Sequence, residues 1–241
     1  MYIKYPVFKL VIAILFFCTS AGGSLTLMAQ HNDYSPIDQP LRPFGQLSVL
    51  GFFEIELIPA EEARLVVNSD DVDPAKVKIV QRGDQLKISL LRSVLNDEEI
   101  EVELYYVPNN LDNITVSGGA QIRSKDVLQT RALKIRAGSG SRVYLKVDLD
   151  KLDATASEGG HLSLRGTSKY IKCNANTGGI LEGHRLIGQD VVCRAGTGGE
   201  VSIHAEQSLD AKASTGGIIN YDGDATERSV RTILGGVVSR F

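Results

Sequence analysis

Cys173-Asn174-Ala175-Asn176-Thr177-Gly178-Gly179-Ile180-Leu181 is echoed twenty residues later by Cys193-Arg194-Ala195-Gly196-Thr197-Gly198-Gly199-Glu200-Val201. Eighteen residues further on comes Ala211-Lys212-Ala213-Ser214-Thr215-Gly216-Gly217-Ile218-Ile219. Each stretch alternates small or apolar residues with polar ones up to a Thr-Gly-Gly step and resumes the alternation beyond it. The frame extends in both directions. One glycine per unit, Gly119, Gly140, Gly159, Gly178, Gly198, Gly216 and Gly235, recurs at spacings of 21, 19, 19, 20, 18 and 19. Five before it stand Ile114, Ile135, Ala154, Cys173, Cys193, Ala211 and Val230. Three before it stand Val116, Ala137, Ala156, Ala175, Ala195, Ala213 and Thr232, and three after it Ile122, Val143, Leu162, Leu181, Val201, Ile219 and Val238.

Alternation of period two marks half-buried strands. A glycine at a fixed place in every unit marks a backbone angle that side chains oppose, φ > 0. A unit of about nineteen residues has no room for a helix beside its strands. Each unit is therefore predicted to be two short strands around a glycine corner. The units together are predicted to form a single-stranded right-handed parallel β-helix of about seven coils, each column a ladder running up the stack. A leucine-rich solenoid would carry an asparagine-bearing consensus that is missing. An antiparallel sandwich would not need columns in register.

Composition agrees with a narrow all-β interior. Only 6% of the 241 residues are aromatic, none is tryptophan, and 43% are hydrophobic, too many for a disordered chain. Nineteen of the 24 glycines follow Ser117, whereas the last of the seven prolines is Pro108. From Phe44 to Pro108 the pattern still alternates, as in Phe53-Glu54-Ile55-Glu56-Leu57 and in Ile100, Val102, Leu104 and Tyr106, with turn signals at Gln81-Arg82-Gly83-Asp84 and Asp73-Pro74. The domain reading is a signal peptide over 1–29, a flexible tether over 30–43 and one β-helix over 44–241. Within it, 44–108 forms the N-terminal coils, which cap that end, and 109–241 the glycine-cornered repeats.

The N-terminus reads as an export signal, with Lys4 and Lys9 before the apolar run Leu10 to Phe17 and small residues Thr19 to Gly23 after it. Cleavage is expected after Ala29, with Ala21 or Gly23 as alternatives. The apolar run of 8 residues is short against the about 20 of a membrane span. Cys18 raises lipidation, but Phe16-Phe17 are bulky where such signals carry small residues. Removing residues 1–29 takes the net charge from −3 to −5. A net-acidic chain without basic runs argues against nucleic acid. The expected location is periplasmic, associated with the outer membrane, or extracellular.

Candidate chemistry is sparse. Cys173 and Cys193 share a column on successive coils, where a disulfide is sterically allowed. A buried ladder of thiols is the plainer reading. An outward column six after the glycine holds Lys125, Lys146, Arg165, His184, His204 and Asp222. His184 and His204 are expected to stack there with Glu182 on the same face, the nearest approach to a metal constellation, against which stands a solvated polar ladder. A second outward column, Lys134, Asp153 and Lys172, alternates in sign. The Thr-Gly-Gly steps lack the Lys-Ser/Thr of a phosphate loop. No stacked acids or carboxylate pair suited to glycoside hydrolysis is read from the outward columns, and Tyr144 and Tyr170 look isolated. No cofactor is expected. At the C-terminal end Arg240 and Phe241 leave little to cover the last coil, so stacking of copies is an expectation.

The steps Asn176-Thr177-Gly178-Gly179, Gly196-Thr197-Gly198-Gly199 and Ser214-Thr215-Gly216-Gly217-Ile218-Ile219-Asn220, with Phe53-Glu54-Ile55-Glu56-Leu57, resemble the head GIN domain family. The resemblance spans about residues 44–241. The family is described as autotransporter-adhesin heads exported by Gram-negative bacteria. The resemblance implies a β-helical fold and an adhesin-like or cell-envelope role, with no catalytic residues to carry over. The 241 residues hold no translocating barrel, so self-export is not expected. The leading expectation is a non-enzymatic surface module binding a protein or glycan partner. The alternative is a polysaccharide-active enzyme of pectinase or lyase type.

Overall fold

The structure, a computed structural model, describes residues 36–68, 74–90 and 100–241. The expected signal peptide, its cleavage sites and Cys18 lie outside the described residues. Sixteen strands form one hydrogen-bonded sheet. They are β1 (Ile37–Pro40), β2 (Gln46–Leu50), β3 (Phe53–Pro59), β4 (Arg64–Asn68), β5 (Val77–Arg82), β6 (Gln85–Leu90), β7 (Ile100–Tyr106) and β8 (Asn113–Ser117). Next come β9 (Gln121–Ala137), β10 (Arg142–Ser157), β11 (His161–Asn176), β12 (Ile180–Gly196) and β13 (Glu200–Ser214). The last are β14 (Ile218–Asp222), β15 (Glu227–Ile233) and β16 (Val237–Arg240). The sole helical element among the described residues is a short 3-10 turn at Pro74–Lys76, and no helix there is long and apolar enough to cross a membrane.

From β9 to β13 the strands stack in parallel, Cys173 opposite Cys193 and Ala154, and Leu162 opposite Val143 and Leu181. The fold is a β-solenoid of about seven turns. Each of these coils is one continuous strand of 15 to 17 residues rather than the two short strands expected. The coil bends where two successive side chains point outward. In β10, Val143, Leu145, Val147 and Leu149 are buried, Asp150 and Lys151 are both exposed, and Leu152, Ala154 and Ala156 are buried again. The parallel pairing of β10 with β11 carries the ladder past the bend, where only the pair at the bend itself, Asp150 with Lys169, drops out of the register. One wall of each coil buries leucine, valine or isoleucine, and the other mainly alanine or cysteine, leaving no space for aromatic rings. The large buried rings, Phe44 and Phe53, sit in the N-terminal part.

The glycine corners are tight turns with two left-handed residues in succession, the pattern of a type I′ turn. Thr177 has φ +51° and Gly178 φ +69°, and the Gly179 amide donates to the Asn176 carbonyl at 3.0 Å. The Gly178 amide also donates upward to the Thr197 carbonyl, 3.2 Å away in the next coil. The two glycines of the step have different reasons. A Cβ on Gly178 would meet nothing within 4 Å, so only its backbone angle demands glycine. A Cβ on Gly179 would collide with the backbone carbonyl of Ala156 in the preceding coil.

The N-terminal part departs from a stack in chain order. The coil formed by β2 and β3 is flanked by β8 and β9 on one side and by β6 and β7 on the other. The chain therefore builds one coil, returns outside it with β6 and β7, and crosses back to start the repeats at β8. Antiparallel strands close that end, β5 on β6 and β4 on β7 with β1 beyond. Residues 37–43, expected to be part of a tether, thus hold a strand: Ile37 and Leu41 pack on the core, and the Leu41 amide donates to Ala63 at 2.9 Å. At the opposite end Val230, Ile233, Leu234 and Phe241 are exposed.

Gly178→Ala is expected to cost about 1 kcal/mol, the left-handed penalty alone. Gly179→Ala is expected to cost roughly 3 kcal/mol, because the clash is with backbone fixed in a ladder. Urea midpoints at unchanged slope measure both, and equal losses would contradict this division of roles.

Candidate functional site

Outward side chains line up in rows across the coils because parallel strands in register repeat their faces. One wall consists of nine parallel strands, from β7 through β3, β9, β10, β11, β12, β13 and β14 to β16. At its N-terminal end Glu54 lies opposite Glu101, and Glu56 opposite Glu103. Four glutamates thus gather at a cleft of about 420 Å³ with Asn68, Arg123, Lys125 and Tyr144 on its lining. Arg123 pairs with Glu54, Lys125 Nζ lies 2.6 Å from Glu56, and the Tyr105 hydroxyl donates to Glu103 at 2.9 Å. That hydrogen bond, with burial and the negative charge of Glu103, raises the Tyr105 pKa. The sequence reading of no stacked acids is corrected here. The acids stack because β7 folds back beside β3, and the available signal was the repeated pattern of Phe53-Glu54-Ile55-Glu56-Leu57 in Ile100-Glu101-Val102-Glu103-Leu104.

The expected outward column six after the glycine is broken at three steps, one of them where Arg165 pairs with Arg185 rather than His184. Lys146 pairs with Val127 rather than Lys125, though its ammonium still reaches the Lys125 carbonyl at 3.1 Å. His204 pairs with Ile187 rather than His184. The register jumps between Gly183 and Ile187, so residues 184–186 loop out of the ladder with β13, and His184 does not stack on His204. Unequal coil lengths cause this, since a longer coil beside a shorter one must shed its surplus as a bulge. Glu182 instead faces the preceding coil, its Oε2 3.2 Å from His161 Nε2 without hydrogen-bond alignment. His204 Nδ1 lies 4.0 Å from Asp222, which also meets Arg240 at 3.9 Å. Among the described residues no group of three or more His, Cys, Asp or Glu is placed to hold a metal ion. Tyr144 and Tyr170 are not isolated: Tyr144 meets the His161 ring edge-on at 6.0 Å, and Lys151 lies over Tyr170 at 5.8 Å.

Cys173 and Cys193 are paired in register, free and fully buried, with their sulfurs 2.8 Å apart. Burial, followed by the contact with Cys173, pushes the Cys193 thiol well above its ordinary range. The thiolate is the reactive form, so the pair is protected in the folded state. On the other wall Lys134, Asp153 and Lys172 occupy adjacent strands as expected from their spacing. Farther along it Asp210 bridges Arg194 at 2.7 Å and Arg231 at 3.4 Å. The Arg194 hydrogen bond chiefly holds the Asp210 carboxyl below its ordinary value.

A stack of parallel walls bearing ordered polar rows defines a β-solenoid, and the comparisons place it more closely. The chain matches the family described as "Putative auto-transporter adhesin, head GIN domain" over residues 43–225 and belongs to it. Its fold is similar to the crystal structure of a "putative adhesin" from Bacteroides fragilis NCTC 9343, at 19% identity and TM-score 0.78, covering 86% of this chain and 97% of that one. A "putative adhesin" from Parabacteroides merdae ATCC 43184 is similar at 18% identity and TM-score 0.68, covering 87% and 97%. A "Putative lipid binding protein" from Parabacteroides distasonis ATCC 8503 is similar at 20% identity and TM-score 0.64, covering 88% and 98%. At such identities the likeness carries the fold. No curated protein matches the chain.

Two measurements test this chemistry. In the reduced protein, iodoacetamide is expected to leave Cys173 and Cys193 unmodified when folded and to modify both in denaturant. Asp210 has a lowered folded pKa, so its stabilising effect is present above the unfolded value and is lost as pH falls. Asp210→Asn should therefore melt below wild type at neutral pH. The gap should close as pH drops below the reference value of 3.8. A gap independent of pH would remove the ionic part of the argument.

Proposed function

We propose that this chain is an exported, non-enzymatic adhesin-like module of the cell envelope or surface, whose outward walls bind a protein or glycan partner. The observation that supports this most is the family match over residues 43–225 on a solenoid whose long walls carry ordered polar rows. Such a surface is rigid before binding, so little side-chain or loop ordering opposes association. The leader-like sequence of residues 1–29 and the adhesin description of the family support the export part of this reading.

The second reading, a polysaccharide-cleaving enzyme, attaches to the glutamate cluster. Glu54 and Glu56 are each engaged by a cation and Glu103 accepts from Tyr105, an arrangement that suits a structural ladder better than an acid and base poised for proton transfer. One experiment separates the readings. Beads coated with the protein are expected to adhere to host or bacterial cells above an albumin-coated control. Incubation with a polysaccharide panel, with and without Ca²⁺, is expected to give no new reducing ends and no unsaturated products. Reproducible cleavage would favour the enzyme, and absent adhesion would remove the adhesin reading.

A further inference from the structure

The second wall gathers positive charge that the net charge of −3 conceals. It is formed by β6, β2, β8, the later halves of β9 to β13, and β15. One outward row runs Lys87, Ser48, Thr115, Arg136, Thr155, Asn174, Arg194, Lys212 and Arg231, strand by strand along the solenoid axis. Five members are cations and none is an acid. In the neighbouring row Lys134 and Lys172 flank Asp153, and Asp210 pairs with both Arg194 and Arg231, which leaves that trio one positive charge and leaves Lys87, Arg136 and Lys212 without an acid partner among the described residues. At the N-terminal end the β5–β6 hairpin extends this face into a cleft of about 380 Å³ lined by Ser48, Lys78, Val80, Arg82, Gln85, Lys87 and Ser89. Its described lining thus holds three cations and no carboxylate. At the same end the other wall instead stacks Glu54, Glu56, Glu101 and Glu103, with Arg123 and Lys125 paired to two of them.

We infer that this basic wall is a binding surface for an extended acidic polysaccharide lying along the solenoid axis, its carboxylates or sulfates seated on the cation row and in the cleft. Deepening the proposed adhesin role, this rests on that reading for its biological setting but not for its chemistry. The cations sit at whole multiples of the coil rise of about 4.8 Å, close to the length of one sugar unit in an extended chain. A linear polyanion with a charge on each unit therefore meets successive cations without distortion. Between the cations stand Ser48, Thr115, Thr155 and Asn174, hydroxyl and amide groups suited to sugar hydroxyls. A bilayer fits less well, because membrane-seeking faces add apolar or aromatic side chains to their basic ones, and these two rows offer only Val192. An extended peptide fits less well too, since its repeat of about 3.3 Å does not match the coils. Nothing in the amino-acid order marks this wall as basic. Each coil contributes only one or two of its cations, and the parallel register assembles them.

The test uses the full chain in titration calorimetry with oligogalacturonate of about ten units, enough to span the wall. Cello-oligosaccharide serves as the neutral control, with phosphatidylglycerol vesicles and single-stranded DNA as competing anions. Saturable binding of the oligogalacturonate is expected, weakening steeply with salt, with no binding of the neutral control. The double variant R136E/K212E should lose about tenfold or more in affinity at unchanged melting temperature. K146E, on the other wall, should bind as wild type does. Absence of saturable binding in low salt, or an unaffected R136E/K212E, would overturn the inference. Tighter binding of vesicles or DNA through the same residues would replace the glycan with that class. If R136E/K212E still adheres to cells as wild type does, this site is wrong while the adhesin role stands. If wild type binds the oligogalacturonate but adheres to no cell, the reverse holds.

Discussion

At five of the seven glycine corners an alanine carbonyl of one coil faces the α-carbon of a glycine in a later coil, as Ala156 faces Gly179 and Ala175 faces Gly199. That approach is closer than any side chain permits, and the stack depends on it. It lets the corners follow the same spacing as the strands, so the ladder continues around the coil. Each corner then adds bonds of its own, the Gly159, Gly178 and Gly198 amides donating to the carbonyls of Thr177, Thr197 and Thr215. Those threonines hold left-handed angles that β-branched residues rarely adopt. The cost, of order 1–3 kcal/mol at each such site, is sustained because neighbours above and below impose the same turn.

Repetition of that corner dictates the interior. Coils stacked this closely leave a narrow core, which explains the columns of alanine, cysteine, valine and leucine and the scarcity of rings. A repeat that stacks so readily also needs an end. The N-terminal end is closed by the chain turning back on itself, with β6 and β7 laid over β2 and β3 and antiparallel β1, β4 and β5 outside them. Antiparallel strands interrupt the template that a parallel edge would offer to another chain.

The same register that builds the core sorts the charges. Side chains of successive coils are brought within about 5 Å in rows, so a modest bias in each coil becomes a stripe. One wall carries the stacked glutamates, and the other carries the cations from Lys87 to Arg231 with few acids to offset them. The N-terminal ends of the two walls thereby differ, stacked glutamates paired with Arg123 and Lys125 on one and cations without an acid partner among the described residues on the other.

The coil, its period and its inward columns were legible in the amino-acid order, because φ > 0 at a glycine and alternation along a strand are local demands that each unit states for itself. Two things were not legible. The bulge that loops out residues 184–186 and parts His184 from His204 depends on the difference between neighbouring coil lengths, which becomes visible only when the coils lie side by side. The return of β7 beside β3 is a long-range pairing, and the recurrence of Phe53-Glu54-Ile55-Glu56-Leu57 in Ile100-Glu101-Val102-Glu103-Leu104 does not by itself make the two strands neighbours. The sequence by itself thus determined the β-solenoid and its glycine corners. Only the tertiary structure decided which outward residues share a wall, since that depends on bulges and on chain reversal rather than on spacing.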